Sequence, residues 1–380
     1  MKLQKAPQAA PELVHLEALL GKASVTPLDA GCQPYLAERL EELGFIVERL
    51  PCQGVDNLIA RRPGVPSLAF AGHTDVVPAG QHWQVPPFQL SELGGYLYGR
   101  GIADMKGGIA AFLVAVERAL ATGHELPGLM LLLTSDEEGE AEFGSRVMAQ
   151  HLKTQGLLPP WVLVGEPTAR SHSGDTLRVG RRGAVSGTLR LSGRAGHVAY
   201  LPPTANLLHR ALALGQQLAA LEWDSGAPDF PGTVLHVTGL EHGDWLDNVT
   251  PSSATLRFNL RYSHKTSKDA IDQRIRALVP GDLDFQLDWD RPCEPYFSLF
   301  GEAQPNFLTR VERAVFKGLG QFPVLSTAGG ASDGRFFSAL GCEVIELGLP
   351  NASIHQANER VEKGEYLRLI DIYQALLESL

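Results

Sequence analysis

Five segments of the 380-residue chain set an imidazole or a carboxylate after a short apolar run or between glycines, and both groups can bind a metal ion or carry a proton. His73-Thr74-Asp75 puts two such groups two residues apart, on one side of an extended backbone. One can ligate while the other orients it, since a metal-bound histidine usually donates its second ring N–H to a carboxylate. Standing alone, the pair is equally a surface turn. Asp104 lies between Tyr98-Gly-Arg-Gly-Ile-Ala and Met105-Lys-Gly-Gly, at the start of a mostly apolar helix. A helix N-cap is the plain reading, whereas glycines on both sides point to close backbone approach to something bound. Asp136-Glu137-Glu138-Gly139 sets three acids at the end of a buried strand, where they repel unless cations or protons intervene. The alternative is an exposed acidic turn. Adjacent glutamates on an irregular backbone can divide the work, one binding metal and the next taking a proton from water. Glu166, in Gly165-Glu-Pro-Thr, is either a further ligand or a helix-initiating acid. His355, in Asn351-Ala-Ser-Ile-His, completes the set.

His73, Asp104, Glu138, Glu166 and His355 together mix imidazole with carboxylate, which suits one or two Zn²⁺ ions better than Mg²⁺ or Ca²⁺. Two zinc ions roughly 3.5–4 Å apart need a bridge, and the short Asp104 is the natural one. The cysteines, Cys32, Cys52, Cys293 and Cys342, form no C-x-x-C pair, so a metal falls to His and carboxylates and the thiols fit a reducing, cytoplasmic setting.

Something must bring these segments together. Apolar runs at 67–72, 129–133, 161–165 and 342–347 each lead into one of the polar groups and read as buried parallel strands. Helical spacing occupies 12–20, 32–43 (with Gly44 as C-cap), 109–120 and 142–152, so strand and helix alternate. This predicts an α/β fold, a mixed, largely parallel sheet flanked by helices, with the functional groups outside the strands' carboxyl ends. From Gly183 to about Cys293 the pattern changes to period-two alternation at 185–191 and 254–262 around a helical 207–221. That predicts an inserted α+β domain over 183–295, with 1–182 and 296–380 forming the other domain.

Composition narrows the function. Hydrophobic residues are 44% and charged residues 20%, as in an ordinary globular chain, and the formal charge of -10 disfavours nucleic acid or an anionic membrane as partner. The longest apolar run, 109–116, is far short of the roughly 20 residues of a membrane helix. No secretory signal opens the sequence, and no phosphate-loop motif occurs.

Taken together, Gly72-His-Thr-Asp-Val-Val-Pro78, Tyr98-Gly-Arg-Gly-Ile-Ala-Asp-Met-Lys-Gly107, Ser135-Asp-Glu-Glu-Gly139 and Val164-Gly-Glu-Pro-Thr168 resemble the co-catalytic zinc amidohydrolases of the aminoacylase and carboxypeptidase type. Asp29-Ala-Gly-Cys-Gln33, Val179-Gly-Arg-Arg-Gly183, Gly196-His-Val-Ala-Tyr200, Gly329-Gly-Ala-Ser-Asp-Gly-Arg335 and Asn351-Ala-Ser-Ile-His-Gln-Ala-Asn-Glu359 are similar to the family's desuccinylase branch. The resemblance implies two zinc ions per subunit, with Co²⁺ able to substitute. His73 and Glu166 would hold one, Glu138 and His355 the other, and Asp104 would bridge. It further implies Asp75 orienting His73, Glu137 as general base, and His197 reaching the reaction from the partner subunit of a homodimer built by the inserted domain. The implied substrate is a small anionic N-succinyl amino acid, met by Arg181, Arg182, Arg261 and Arg335, with Tyr200, Asn248, Gly330 and Ser332 adding hydrogen bonds. Relatives with the same metals and other substrates, N-acetylornithine deacetylases and metallo-carboxypeptidases among them, are the nearest alternatives, and a catalytically silent binding protein is the non-enzyme one.

Overall fold

The structure is a computed structural model that describes residues 10–227, 230–243 and 245–380. The chain divides into two compact units. One runs up to Val179 and takes in Ser298–Ser326 and Ser332–Leu380; the other comprises Gly180–Phe297 with Thr327–Ala331.

The first unit is built on an eight-stranded sheet in the order Ile46–Arg49, Asn57–Arg61, Met130–Thr134, Leu68–His73, Trp161–Val164, Glu343–Glu346, Thr176–Arg178 and Val324–Ser326. The four apolar runs singled out in the sequence are its four adjacent central strands, and they pair in parallel. Beyond them the pairing is antiparallel at Asn57–Arg61 against Met130–Thr134 and at the single Glu346 to Arg178 bridge, while Thr176–Arg178 pairs in parallel with Val324–Ser326. The mixed, helix-flanked sheet is thus the expected fold. The central strands are buried almost throughout, which is why they read as unbroken apolar runs rather than alternating ones.

Helix Lys106–Ala121 lies in the core and is buried on nearly every side. Phe112 stacks on Phe70 with ring centroids 4.2 Å apart, and Tyr373 of helix Lys363–Leu377 meets both rings edge-on. Two glycines let the start of the buried helix sit this deep. A Cβ at Gly107 would lie 2.0 Å from the Ile102 carbonyl oxygen, and one at Gly108 would lie 2.7 Å from that of Gly165. Gly107 and Gly108, after Asp104, therefore admit the protein's own backbone. Asp104 does not cap this helix; Met105 occupies the N-cap and no side chain caps it.

The second unit is a four-stranded antiparallel sheet ordered Val234–His242, Ser253–Tyr262, Gly183–Ser192 and Asp284–Cys293. Along Ser253–Tyr262, Ala254, Leu256, Phe258, Leu260 and Tyr262 are buried and the residues between them are not, as a sheet with one covered face requires. Helices Leu207–Ala219 and Lys268–Leu278 cover that face through Ala211, Leu214, Ile271 and Ile275. Among the described residues no helix is long and apolar enough to cross a membrane, and all four cysteines are free thiols.

Candidate metal centre

The carboxyl ends of the parallel strands assemble the cluster. His73 closes its strand opposite Thr134, with Thr74 N–H donating to the Thr134 carbonyl at 2.7 Å. Glu137 and Glu138 follow from the Met130–Thr134 strand, Glu166 from Trp161–Val164, and His355 from the loop beyond Glu343–Glu346. Asp104 enters from the segment before the buried helix. Its Oδ1 lies 3.2 Å from His73 Nε2 and its Oδ2 lies 3.2 Å from His355 Nε2. A single carboxylate thus faces one imidazole with each oxygen. Glu166 Oε1 is 3.6 Å and Glu137 Oε2 4.0 Å from His73 Nε2, while Glu138 Oε1 is 3.0 Å from His355 Nε2. His355 adopts a left-handed backbone, φ 60°, which a non-glycine residue holds at some cost and which recurs at functional sites.

Asp75 stands beside the imidazole with both its backbone and its side chain. His73 Nδ1–H donates to the Asp75 backbone carbonyl at 2.9 Å, and the carboxylate stands at 3.6 Å. The fully buried carboxylate accepts instead from the backbone N–H groups of Glu137 (3.3 Å) and Glu138 (3.1 Å). It therefore anchors the peptide units of the two glutamates as well as standing beside His73. Asp136, the first of the three acids, accepts the N–H groups of Ala141, Glu142 and Phe143 and shapes the loop that follows.

The electrostatics are those of acids packed against one another. Burial, reinforced by neighbouring carboxylates, drives the carboxyls of Glu137 and Glu166 well above their ordinary range. Asp104 goes the other way. Burial opposes its charge, but the hydrogen bonds from His355 and His73 outweigh that and hold its pKa down. Burial likewise disfavours a charged His73, yet Asp104, Asp75, Glu137 and Glu166 raise it well above the usual imidazole value. Hydrogen bonds to Asp104 and Glu138 raise half-exposed His355 to about 10. The carboxylates thus favour positive charge on both imidazoles. Two overlapping groups, His73 with Asp104 and Glu138, and His73 with Glu137 and Glu166, bring their ligand atoms within 4.8 Å of one another. Mixed nitrogen and oxygen donors at that separation, short of positive charge, fit divalent ions of the zinc class.

Residues 69–379 match the peptidase family M20/M25/M40. The chain belongs to that family. It is therefore a hydrolase, and its metal-ligand candidates make it a metallohydrolase of the M20 type. A succinyl-diaminopimelate desuccinylase 2 of Shewanella loihica is 47% identical over 367 residues, covering 94% of this chain and 97% of its own. A succinyl-diaminopimelate desuccinylase 1 of Alteromonas mediterranea is 43% identical, with 100% of each chain covered. Among solved structures, aminopeptidase PepT from Bacillus cereus superposes with a TM-score of 0.79 over 97% of each chain at 18% identity. A dinuclear metal-binding peptidase of the family from Bacillus subtilis gives 0.70 at 15% identity, over 97% of this chain and 96% of its own. At those identities the likeness is one of fold.

The remaining candidates of this M20 chain fall in both units. Ser332, in the unit with the metal-ligand candidates, is buried and accepts the Gly334 N–H at 3.3 Å, and the Arg335 guanidinium sits over the Phe336 ring at 4.3 Å. Between them Asp333, given no role by the sequence reading, is buried, raised by that burial to about 6, and close enough to repel Glu137. Within the inserted unit, His197 belongs to a two-residue strand paired with Val249–Thr250. Its Nδ1 accepts the Ala199 N–H at 3.1 Å, and its Nε2 lies 3.3 Å from the Asn248 amide nitrogen. Tyr200 is 87% exposed, its ring 5.5 Å from that of His197. Arg181 is buried and donates toward the Gly330 carbonyl at 3.4 Å. Burial and then the charge of Arg261 press the Arg182 guanidinium below its ordinary pKa, and its Nε is buried with no hydrogen-bond partner among the described residues. Two guanidinium groups that repel one another in this way are suited to an anion.

A further residue escaped the sequence reading. Glu359, part of a quoted motif but given no role there, is buried beneath the Asp104 segment. The only cue was its place four residues after His355.

Proposed function

We propose that this chain hydrolyses the amide of an N-succinyl amino acid, N-succinyl-L,L-diaminopimelate, to succinate and L,L-diaminopimelate. The observation that carries a hydrolytic metal site is Asp104 facing both His73 and His355, with Glu137 beside them. The substrate class rests on the names of the full-length relatives and on the Arg182 and Arg261 pair, since this substrate carries three carboxylates. His73 and Glu166 would hold one Zn²⁺, Glu138 and His355 the second, and Asp104 both; Co²⁺ has the same ligand preferences and substitutes. Zinc supplies water acidified from about 15.7 toward 7 and an electrophile for the carbonyl.

The rest is the work of side chains. Glu137, kept basic by burial and neighbouring acids, takes a proton from the attacking water and delivers it to the departing amide nitrogen. The water oxygen joins the succinyl carbonyl carbon, the C–N bond breaks, and the products are a carboxylate and an ammonium. Asp75 fixes the Glu137 and Glu138 peptide units and thereby the direction of both side chains. His197 donates to the developing oxyanion, supplied by the partner of a homodimer. Arg181, Arg182, Arg261 and Arg335 would take the carboxylates, with Tyr200, Asn248, Ser332 and Gly330 adding hydrogen bonds. A reducing cytoplasm suits the four free thiols.

Zinc-loaded protein should release succinate from N-succinyl-L,L-diaminopimelate with a kcat/KM far above that for N-acetylornithine or dipeptides. Preference for either of those would overturn the substrate, and zinc-loaded protein inert toward all three would overturn the hydrolase reading.

A further inference from the structure

We propose that Glu359 is a positioning residue that sets the Asp104 carboxylate and ties it to His355, so that one short segment controls both. Glu359 is 1% exposed. Its Oε1 accepts the N–H groups of Ala103 (2.8 Å) and Asp104 (3.2 Å). Its Oε2 accepts the Gly101 N–H (2.9 Å) and Nη1 of Arg100 (2.7 Å), and its backbone carbonyl accepts the Gly99 N–H at 3.1 Å. Arg100 is equally buried and is held in turn by the Ala79 carbonyl at 3.2 Å and the face of Trp83 at 5.2 Å. Four of the six backbone N–H groups of the irregular segment 99–104 thus end on one residue.

That segment has no ladder to fix it. It leaves the Tyr96–Tyr98 strand and reaches the buried helix only at Lys106, so its backbone donors need another acceptor. A carboxylate accepting three N–H groups and a guanidinium supplies one, in a single orientation. The same residue stands four positions after His355, and the intervening Asn358 is fastened by accepting the Gln84 N–H at 2.7 Å. Moving Glu359 would therefore move the carboxylate that faces both imidazoles and loosen the segment that carries one of them. Glutamine has the same shape but turns one acceptor into a donor. Whichever way it is placed, an amide NH₂ then faces either the Ala103 and Asp104 N–H groups or Arg100 and the Gly101 N–H.

A bland structural role would lower stability alone, so the test needs a buried carboxylate of similar build for comparison. Glu365 is 4% exposed, accepts the Ser173 N–H at 2.7 Å and pairs with His172 at 2.8 Å. Zinc binding to the metal-free full chain, measured by competition with a chromophoric chelator, should weaken by about 10–100-fold in Glu359→Gln. It should stay at the wild-type level in Glu365→Gln, even where both melt lower. In the zinc-loaded enzyme kcat should fall with KM unchanged, and Glu359→Asp, one methylene short, should restore little. Zinc affinity in Glu359→Gln equal to that of Glu365→Gln overturns the proposal. Should Glu359→Gln yield no folded protein, Arg100→Lys, which keeps Glu359 charged but removes the guanidinium fork, is read in the same titration against the same control. The inference rests on the metal reading above, and the two fail differently. Wild-type protein that binds no zinc removes that reading, whereas wild-type binding matched by the variant removes only this one.

Discussion

Each unit contains a polar knot of acids, and the two are built on opposite principles. In the inserted unit Asp224 is surrounded by donors. The hydroxyls of Thr233 (2.5 Å), Ser263 (2.7 Å) and Thr266 (2.7 Å) and the Gly226 N–H (2.9 Å) all end on its two oxygens. Burial works against its charge, but these hydrogen bonds outweigh burial and hold its pKa below the ordinary range. In the other unit, acids face acids. Half-buried Glu137 and buried Glu166 sit among carboxylates as well as His73, and both are pushed upward. An acid supplied with donors stabilises a fold as it stands; acids gathered without them make a fold that lacks a cation. The comparison separates an acid held by donors from acids crowded against one another.

Removing one proton acceptor from the crowded knot should have the largest effect. Glu137→Gln keeps the shape of the side chain and all five proposed ligands, but it abolishes a base. We expect kcat to fall by about 10²–10⁴-fold, with zinc content by elemental analysis unchanged. Zinc lost together with activity would mean that Glu137 is a ligand and not the base. The geometry poses that alternative directly, since Glu137 shares a potential ligand group with His73 and Glu166.

Supplying the missing cation comes next. At free zinc 100 to 1,000 times the dissociation constant, the folded state should gain about 3–4 kcal/mol over the chelator-stripped protein. The thermal midpoint should rise accordingly and return when chelator is added. A midpoint indifferent to zinc would mean that the crowded acids are balanced by protons alone.

How far the sequence foretold this contrast depends on what each residue binds. The four central strands were legible because burial on both faces leaves uninterrupted apolar runs, and the ligand candidates were legible because they follow those runs. Helix Lys268–Leu278 was not, since only Ile271 and Ile275 are buried in an otherwise polar stretch. Lys363–Leu377 fails for the reverse reason: so many of its positions are buried that an amphipathic contrast is missing. Strand Val234–His242 buries Leu235 alone and is defined by backbone pairing that no side-chain pattern reports. In the site, residue types and order were visible, whereas Glu359 holding a loop and Asp75 holding two peptide units were not. A carboxylate that binds backbone N–H groups leaves no mark in spacing, because its partners can be any residue.

The smallest effect discriminates most sharply, because its sign differs between the knots. In metal-free protein near neutral pH, Asp224→Asn should lower stability by about 1–2 kcal/mol through lost and mismatched hydrogen bonds. Glu166→Gln should leave it unchanged or raise it, since it removes a charge whose neighbours repel it. The pH dependence carries the same contrast. A carboxyl depressed in the folded state contributes stability that is complete above its unfolded pKa, near 3.9, and is lost as pH falls toward its folded value. The stability gap between wild type and Asp224→Asn should therefore narrow below about pH 4. A carboxyl raised in the folded state contributes stability that is complete below its unfolded pKa, near 4.3, and is lost as pH rises through its folded value. Relative to wild type, Glu166→Gln should therefore gain as pH rises above that point. Chemical denaturation of the metal-free proteins across pH 3 to 8 measures both, and parallel curves for the two variants would show that donors and acids shape the two knots alike.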